Sequence, residues 1–125
     1  MKTLKLSEID PTLQTKESIS YFLGNFLDSF YCNPSVDLLI EPPALMRNYL
    51  SEGIIWDAYW GGIVESLSRK YHFQIPLWVE APERFLKKPF FGIQAPSFRA
   101  TLLLESPIEF RRRNLFVTAN ALERV

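Results

Sequence analysis

Prolines interrupt the second half of the chain at short intervals, and they limit its folding more than any other feature. They stand at positions 76, 82, 89, 96 and 107, six to eleven residues apart. Proline lacks a backbone N–H and clashes with the preceding helical turn, so no long helix can run across these positions. Residues 73–125 are therefore predicted to form short helices and extended segments that wrap around another part of the chain.

Two long amphipathic helices are predicted to form that other part. Over residues 16–31, large apolar side chains recur at helical spacing on one broad face. Over residues 52–72 a second apolar stripe follows Ser51, which we expect to cap the helix. The chain should thus be a mainly α, small single-domain protein. Three parts are expected: an N-terminal arm (1–15), a helical base (16–72) and the wrapping C-terminal half (73–125).

The second predicted helix contains two adjacent glycines in its interior, Gly61 and Gly62. The pair costs roughly 2 kcal/mol relative to two alanines. We therefore expect another helix or an aromatic ring to pack closely against the bare backbone. Trp56 and Trp60 on the same helix are interpreted as core residues or, alternatively, as anchors of an exposed partner-binding face, where tryptophan is favoured.

A capping box is predicted at Ser106. Pro107 suits the first helical position, and Glu109 lies three residues after Ser106. Asn114 is expected to end this short helix in the left-handed conformation, and residues 115–117 should continue as a buried strand. Three further segments are expected: extended chain at 75–79, one or two helical turns at 81–86, and a short helix or a strand at 97–105.

Arg111, Arg112 and Arg113 are the strongest polar signal in the sequence. Consecutive helical residues point about 100° apart, so the three guanidinium groups cannot all face one partner. At least one is expected to turn inward and pair with a carboxylate, where the fork geometry of arginine is useful. The others would be solvated, contact a protein partner, or contact nucleic acid or phosphate.

The charge of the chain is balanced in total but divided between its halves. Fourteen Lys and Arg offset fourteen Asp and Glu, which argues against general nucleic-acid binding. Residues 1–62 carry four basic and eight acidic side chains, whereas residues 63–125 carry ten and six. Either the halves dock and partly neutralise each other, or a basic face is offered to an acidic partner or a phosphate. That face would comprise Arg84, Lys87, Lys88, Arg99 and the three consecutive arginines.

Cysteine usage and hydropathy indicate a cytoplasmic protein. Cys32 is the single cysteine, so the chain has no internal disulfide framework. The apolar runs are far shorter than the ~20 residues of a membrane helix. The first ten residues also lack the apolar segment of a signal peptide. We expect no membrane contact.

No catalytic or metal-binding constellation is recognisable in the sequence. His72 is the only histidine, which does not favour a zinc site or a Ser-His-Asp triad. Cys32 is interpreted as a buried thiol rather than a nucleophile. Glycine-rich phosphate-binding loops are absent as well. The predictions are therefore no catalytic residue, no cofactor, no metal and no enzyme activity.

A longer pattern runs through the second half. It comprises Pro-x-Trp at 76–78, Pro-Glu-Arg-Phe-Leu at 82–86, Pro-x-Phe at 89–91, Glu-Ser-Pro-x-x-Phe-Arg-Arg-Arg-Asn-Leu-Phe-Val at 105–117 and Ala-Leu-x-Arg at 121–124. In this pattern the chain resembles an uncharacterised bacterial protein family with a C-terminal SPxxFRRRNxFV-type signature. Some members are fused behind Xre-type helix-turn-helix domains. The resemblance covers roughly residues 54–125 and implies a link to toxin–antitoxin-like modules.

The functional hypothesis is a non-catalytic, bacterial partner-binding or regulatory protein of the antitoxin-like kind. Its partner would be a protein encoded nearby, and a homodimer is a further prediction if large aromatic side chains are exposed on the long helices. The alternative is a protein that binds nucleic acid or a phosphate ligand through the basic C-terminal face, although nucleic acid is the less favoured partner. Six residues are predicted to make partner contacts: Arg111, Arg112, Arg113, Phe116, Trp56 and Trp60.

Overall fold

A computed structural model describes residues 3–92 and 99–123 and confirms a mainly α-helical protein. Its longest elements are α1 (Lys16–Cys32) and α2 (Gly53–Lys70), which match the two predicted helices to within two residues at each end. None of the described helices combines the length and apolar character needed to cross a bilayer. The other regular elements are β1 (Phe90–Phe91), α3 (Arg99–Glu105), α4 (Ile108–Arg111) and β2 (Leu115–Phe116), with 3-10 turns at Leu6–Glu8, Val36–Leu38, Met46–Asn48, Leu77–Glu80 and Pro82–Arg84.

Helix α1 begins at a side-chain cap. Oγ1 of Thr15 accepts a hydrogen bond from the backbone N–H of Ser18 at 3.1 Å, which satisfies one of the N–H groups that lack a partner inside the helix. The apolar face then buries Ile19, Phe26 and Phe30 completely. The Thr15 cap and the apolar face are both local features of the sequence, so α1 lies where the residue spacing predicts it.

The start of α2 differs from the prediction. Ser51 is not the cap, because the N-cap residue is Glu52, whose side chain makes no capping hydrogen bond. Instead, the backbone of Gly53 lies so close to the backbone of Met46 that a Cβ at Gly53 would overlap it. The helix starts where a glycine permits this contact, so packing overrides the local cap signal.

The end of α2 is a Schellman motif with a histidine where glycine is usual. The N–H of Phe73 donates to the carbonyl of Ser68 at 2.8 Å, and the N–H of His72 donates to the carbonyl of Arg69 at 3.3 Å. His72 has a φ of 60°, in the left-handed region. A side chain at that φ is strained by about 1–2 kcal/mol, so the histidine weakens an otherwise well-formed helix end.

The glycine pair inside α2 accommodates two residues of the C-terminal half. A Cβ at Gly62 would lie 2.5 Å from Cδ1 of Phe110, and a Cβ at Gly61 would lie 2.9 Å from Nε of Arg113. Both distances are shorter than real Cβ contacts, so these groups can reach the axis of α2 only at positions without a side chain. The predicted contact between an aromatic ring and the bare backbone is confirmed.

Several short elements of the C-terminal half pack along α2. The turns Leu77–Glu80 and Pro82–Arg84 and helix α4 all contact α2. Residues 75–79 are not extended throughout, because a 3-10 turn begins directly after the extended Pro76. The predicted turn at 81–86 and the predicted helix at 97–105 are confirmed over Pro82–Arg84 and Arg99–Glu105. Positions 97, 98 and 124 lie outside the described residues.

The capping box predicted at Ser106 is wrong. The N-cap of α4 is Pro107, and no side chain caps this helix. The buried Ser106 hydroxyl instead donates to the carbonyl of Leu102 at 2.6 Å and accepts from the N–H of Val117 at 2.9 Å. The hydroxyl therefore joins α3 to the chain after β2, a tertiary contact that a local pattern does not reveal.

The predicted stop at Asn114 and the strand after it are confirmed. Asn114 has a φ of 63°, and its side-chain Nδ2 donates to the carbonyl of Leu86 at 2.8 Å. β2 then pairs in parallel with β1, with Leu115 beside Phe90. Asn114 thus redirects the chain in the turn after α4, and its side-chain amide helps to hold the segment that leads into β1.

Candidate functional site

Arg113 is the inward-facing member of the arginine triplet. Its side chain has an exposed fraction of 0%. Nη1 donates to Oε1 of Glu65 at 2.5 Å and to the carbonyl of Glu109 at 2.7 Å, while Nη2 donates to the carbonyl of Val79 at 2.7 Å. This buried pair confirms the prediction that at least one arginine turns inward to a carboxylate.

Arg112 reaches the same carboxylate from the surface side. Its Nη1 donates to Oε1 of Glu65 at 2.7 Å and to Oε1 of Glu80 at 2.8 Å, and its Nη2 donates to Oε2 of Glu80 at 2.9 Å. The guanidinium carbons of Arg113 and Arg112 lie 4.7 Å and 5.3 Å from the ring centroid of Phe85. Two of the three arginines are therefore engaged within the fold, in the forked and stacked geometry that suits arginine.

The network keeps Glu65 ionised although its side chain is buried. Desolvation raises the pKa of Glu65, but the hydrogen bonds and charges of Arg113 and Arg112 outweigh it and hold the pKa below its ordinary 4.5. A hydrogen bond from Arg112 likewise lowers the pKa of Glu80. A general base works best with a pKa near the working pH. The geometry of this cluster therefore suits a structural role better than proton transfer.

A second buried network uses Arg84. The completely buried Asp57 accepts from the backbone N–H of Met46 at 2.6 Å and from Nε of Arg47 at 2.9 Å. Close to this carboxylate, Arg84 donates to the carbonyl of Pro43 at 2.7 Å, and burial lowers the pKa of its guanidinium. Arg84 is thereby removed from the predicted basic face.

The acidic and basic halves of the chain are not joined by ion pairs among the residues that the structure describes. Among the described residues, every salt bridge links two partners within residues 1–62 or two within residues 63–125. The hydrogen bonds of Arg84 cross between the halves, but they end on carbonyl oxygens. Four members of the predicted basic face remain exposed and outside these salt bridges: Lys87, Lys88, Arg99 and Arg111.

The predicted aromatic contacts are divided between core and surface. Trp60 is fully buried and donates from Nε1 to Sδ of Met46 at 3.4 Å, and Phe116 is only 7% exposed. Trp56 stacks on Trp60 with centroids 5.6 Å apart and is half-buried. Of the six residues predicted to meet a partner, the fold therefore places Trp60, Phe116 and Arg113 inside. Arg112 is engaged by carboxylates, and Trp56 and Arg111 reach the surface.

Helices α3 and α4 present an aliphatic patch, defined here by Leu103, Leu104 and Ile108. These side chains are 46%, 83% and 50% exposed. Nη1 of Arg111 lies 3.5 Å from the carbonyl oxygen of Leu103, which places this arginine at the edge of the patch. Three consecutive leucines in a seven-residue helix point about 100° apart and cannot all face the core. That spacing is the signal by which the sequence could have indicated the patch.

A second surface feature is a groove of about 600 Å³ between the first turn of α2 and residues 82–90, called here the lysine groove. Apolar side chains and two adjacent lysines line it. The lining used below comprises Ile54, Phe85, Leu86, Lys87, Lys88 and Phe90. The sequence predicted both lysines as members of a basic face, but not the apolar surface beside them.

Cys32 and His72, the two residues weighed for catalysis or metal binding, do not line a common cleft. Cys32 is exposed, contrary to the expectation of a buried thiol, and lines a cleft of about 880 Å³ between α1, α2 and residues 119–123. His72 lines a different groove. In the cleft, Nζ of Lys70 lies 5.4 Å from the ring centroid of Tyr31. Within residues 3–92 and 99–123, no group of three or more His, Cys, Asp or Glu could hold a metal ion.

Comparisons of this chain with protein-family models, with curated proteins and with solved structures gave no match. The resemblance of the C-terminal pattern to a bacterial family accordingly stays a prediction.

Proposed function

We propose that this chain is a non-catalytic protein that binds another protein. The observation that carries this proposal is the aliphatic patch on α3 and α4. Single exposed leucines are ordinary, but three exposed large aliphatic side chains within six consecutive residues, beside an arginine, are typical of interaction surfaces. The sequence pattern of residues 105–117 extends the proposal to an antitoxin-like regulatory member of a bacterial two-protein module.

About half or more of the surface of each patch side chain is left exposed, so a partner that covers the patch would gain free energy from burying it. Full burial of a large aliphatic side chain is worth roughly 1.5–3 kcal/mol. In α3 the buried side chain is Leu102, whereas Leu104 is 83% exposed. At the edge of the patch, Arg111 can meet a carboxylate with two parallel hydrogen bonds. A partner with an apolar surface bordered by Asp or Glu would therefore fit.

The internal use of charge supports the non-catalytic part of the proposal. Both Glu65 and Asp57 are buried and hydrogen-bonded to arginine. Both therefore serve in holding α2 to its neighbours. An acid–base mechanism would instead require an ionisable group placed to exchange a proton with a substrate.

Affinity purification from the native host tests the proposal. A tagged wild-type chain should retain a specific protein, and Leu104→Glu should lose it, because a carboxylate in the patch opposes burial. Leu77→Glu is the matched control, since Leu77 is 89% exposed in a turn outside α3 and α4. Retention of the same protein by both variants, or by neither, would contradict a role for the patch.

Nucleic-acid or phosphate binding is the second candidate. It is favoured by the four exposed basic residues that take no part in the described salt bridges: Lys87, Lys88, Arg99 and Arg111. Phosphate contacts weaken steeply with salt because binding releases counterions. Fluorescence anisotropy with labelled oligonucleotides should then show binding at low salt that falls as salt rises. An absence of binding at low salt removes this candidate.

A further inference from the structure

The lysine groove has an apolar floor that the fold leaves partly uncovered. Ile54 is 47% exposed, and Phe85, Leu86 and Phe90 are half-buried. Its volume of about 600 Å³ lies within the roughly 300–1,000 Å³ that ligand sites occupy. The groove is therefore large enough to receive apolar side chains of another molecule.

The rim carries positive charge that the described residues do not pair. Lys87 and Lys88 are exposed and form no described salt bridge. Elsewhere in the lining, the charge of Arg47 is engaged by the buried Asp57, and Glu83 adds one exposed carboxylate. The uncompensated positive charge in the lining is thus that of the two lysines.

The segment that carries the lysines is held on both sides of them. The N–H of Leu86 donates to the carbonyl of Arg113 at 3.1 Å, and the N–H of Phe90 donates to the carbonyl of Asn114 at 2.8 Å. Nδ2 of Asn114 donates back to the carbonyl of Leu86 at 2.8 Å. Because these bonds fix the backbone before binding, little of the binding free energy is lost in ordering the groove.

We propose that the lysine groove binds an acidic amphipathic segment of a partner protein. Its apolar side chains would lie on Ile54, Phe85 and Phe90, and its carboxylates would face Lys87 and Lys88. An amphipathic helix in an apolar groove is a common mode of peptide recognition, and complementary charge selects the partner and its orientation. This surface is separate from the aliphatic patch, so the inference does not depend on the function proposed for that patch.

Titration of the full chain with labelled synthetic peptides tests the inference. The probe is a helical peptide with leucines at i, i+3, i+4 and i+7 and glutamates flanking that face. One control peptide replaces each glutamate by lysine, and another scrambles the order. The acidic amphipathic peptide should bind, as fluorescence anisotropy would show, with affinity that falls as salt rises, and the two controls should not.

Variants then locate the binding. Lys87→Glu with Lys88→Glu should weaken binding of the acidic peptide at least about tenfold, and Ile54→Ser should weaken it in the same direction. Lys16→Glu and Leu77→Ser are the matched controls on exposed positions outside the groove, and they should leave binding unchanged. Thermal unfolding of each variant checks that the fold is intact.

Several results would overturn the inference. The acidic peptide could fail to bind, the lysine peptide could bind equally well, or the affinity for the acidic peptide could be the same in the groove variants as in wild type. A dimer that sediments as such in wild type but not in Ile54→Ser would show that the groove is occupied by a second copy instead. Failure of the Leu104→Glu experiment would contradict the proposed function while leaving the peptide result unaffected, so the two proposals can fail separately.

Discussion

Glu65 and Arg113 form a fully buried ion pair between residues 48 positions apart in the chain. The guanidinium lies against Gly61, one turn earlier on α2 than Glu65, and its Nε has no hydrogen-bond partner among the described residues. Gly61 and Glu65 on α2 thus contact the same arginine of the C-terminal half. The pair is therefore one of the contacts that hold that half against α2.

Removal of one partner of this pair should be severely destabilising. Glu65→Leu leaves the Arg113 charge buried without its counter-ion, and such changes cost about 3–5 kcal/mol. Urea unfolding followed by circular dichroism measures the loss. Glu80→Gln is the control, because the Glu80 side chain is 52% exposed and its pair with Arg112 should contribute less than about 1 kcal/mol. Similar losses in both variants would show that burial does not govern the strength of these pairs.

Replacement of both partners should be milder than replacement of one. In Glu65→Leu with Arg113→Met, no buried charge is left uncompensated, and apolar side chains of similar size occupy the space. The free energy of unfolding should therefore recover a large part of the loss caused by Glu65→Leu alone. A double variant less stable than either single variant would mean that the charges themselves are needed at this site.

Acid should weaken the fold through the same network. The folded-state pKa of Glu65 is lowered by Arg113 and Arg112, and that of Glu80 is lowered by Arg112. A lowered pKa means that the unfolded chain takes up a proton more readily than the folded one. The stabilisation is present above the unfolded pKa, near 4.5, and is lost as pH falls through the folded pKa.

Urea midpoints measured at decreasing pH should accordingly fall below about pH 5. In Glu65→Gln this dependence should be shallower, so the difference in stability between wild type and variant narrows as the pH is lowered. Parallel curves for the two proteins would contradict a lowered pKa at Glu65.

Gly62→Ala should destabilise the protein although alanine is the better helix former. Its Cβ would lie 2.5 Å from Cδ1 of Phe110, and overpacking of this kind costs typically about 1–3 kcal/mol. The loss of stability caused by Phe110→Leu should therefore be smaller in the Gly62→Ala variant than in wild type. Asn25→Ala, on the exposed side of α1, is the control for helix propensity and should be neutral or slightly stabilising. A stabilising Gly62→Ala would refute the close packing of α4.

His72→Gly should stabilise the protein by about 0.5–1 kcal/mol. His72 is exposed and has a φ of 60°, which glycine adopts without steric strain. Asn114→Gly is the matched comparison, because Asn114 also has a positive φ but its side chain holds the Leu86 carbonyl. We expect Asn114→Gly to raise the stability less than His72→Gly does, or to lower it. Thermal midpoints that rise equally in both would indicate that the Asn114 hydrogen bond contributes nothing.

The amino-acid sequence indicated only part of the surfaces that we propose for binding. The sequence predicted Arg111 at an interface and Lys87 and Lys88 on a basic face, and the structure leaves all three exposed. It also predicted Trp60 and Phe116 as contacts, and both lie inside. Whether an aromatic side chain is buried depends on what covers it, and for Phe116 a covering ring is Phe91, which is distant in sequence.

The sequence by itself determined the two long helices, the short segments after residue 73, the left-handed stop at Asn114 and the inward turn of one arginine. Each follows from helical spacing, from fixed proline angles or from charges on adjacent residues, which act within a few positions of the chain. Only the tertiary structure decided that Arg113 is the arginine that meets Glu65, that Ser106 joins α3 to Val117, and that β1 pairs with β2. The physical reason is that these partners are brought together by packing across long sequence separations, so no local pattern encodes which of several similar side chains will meet.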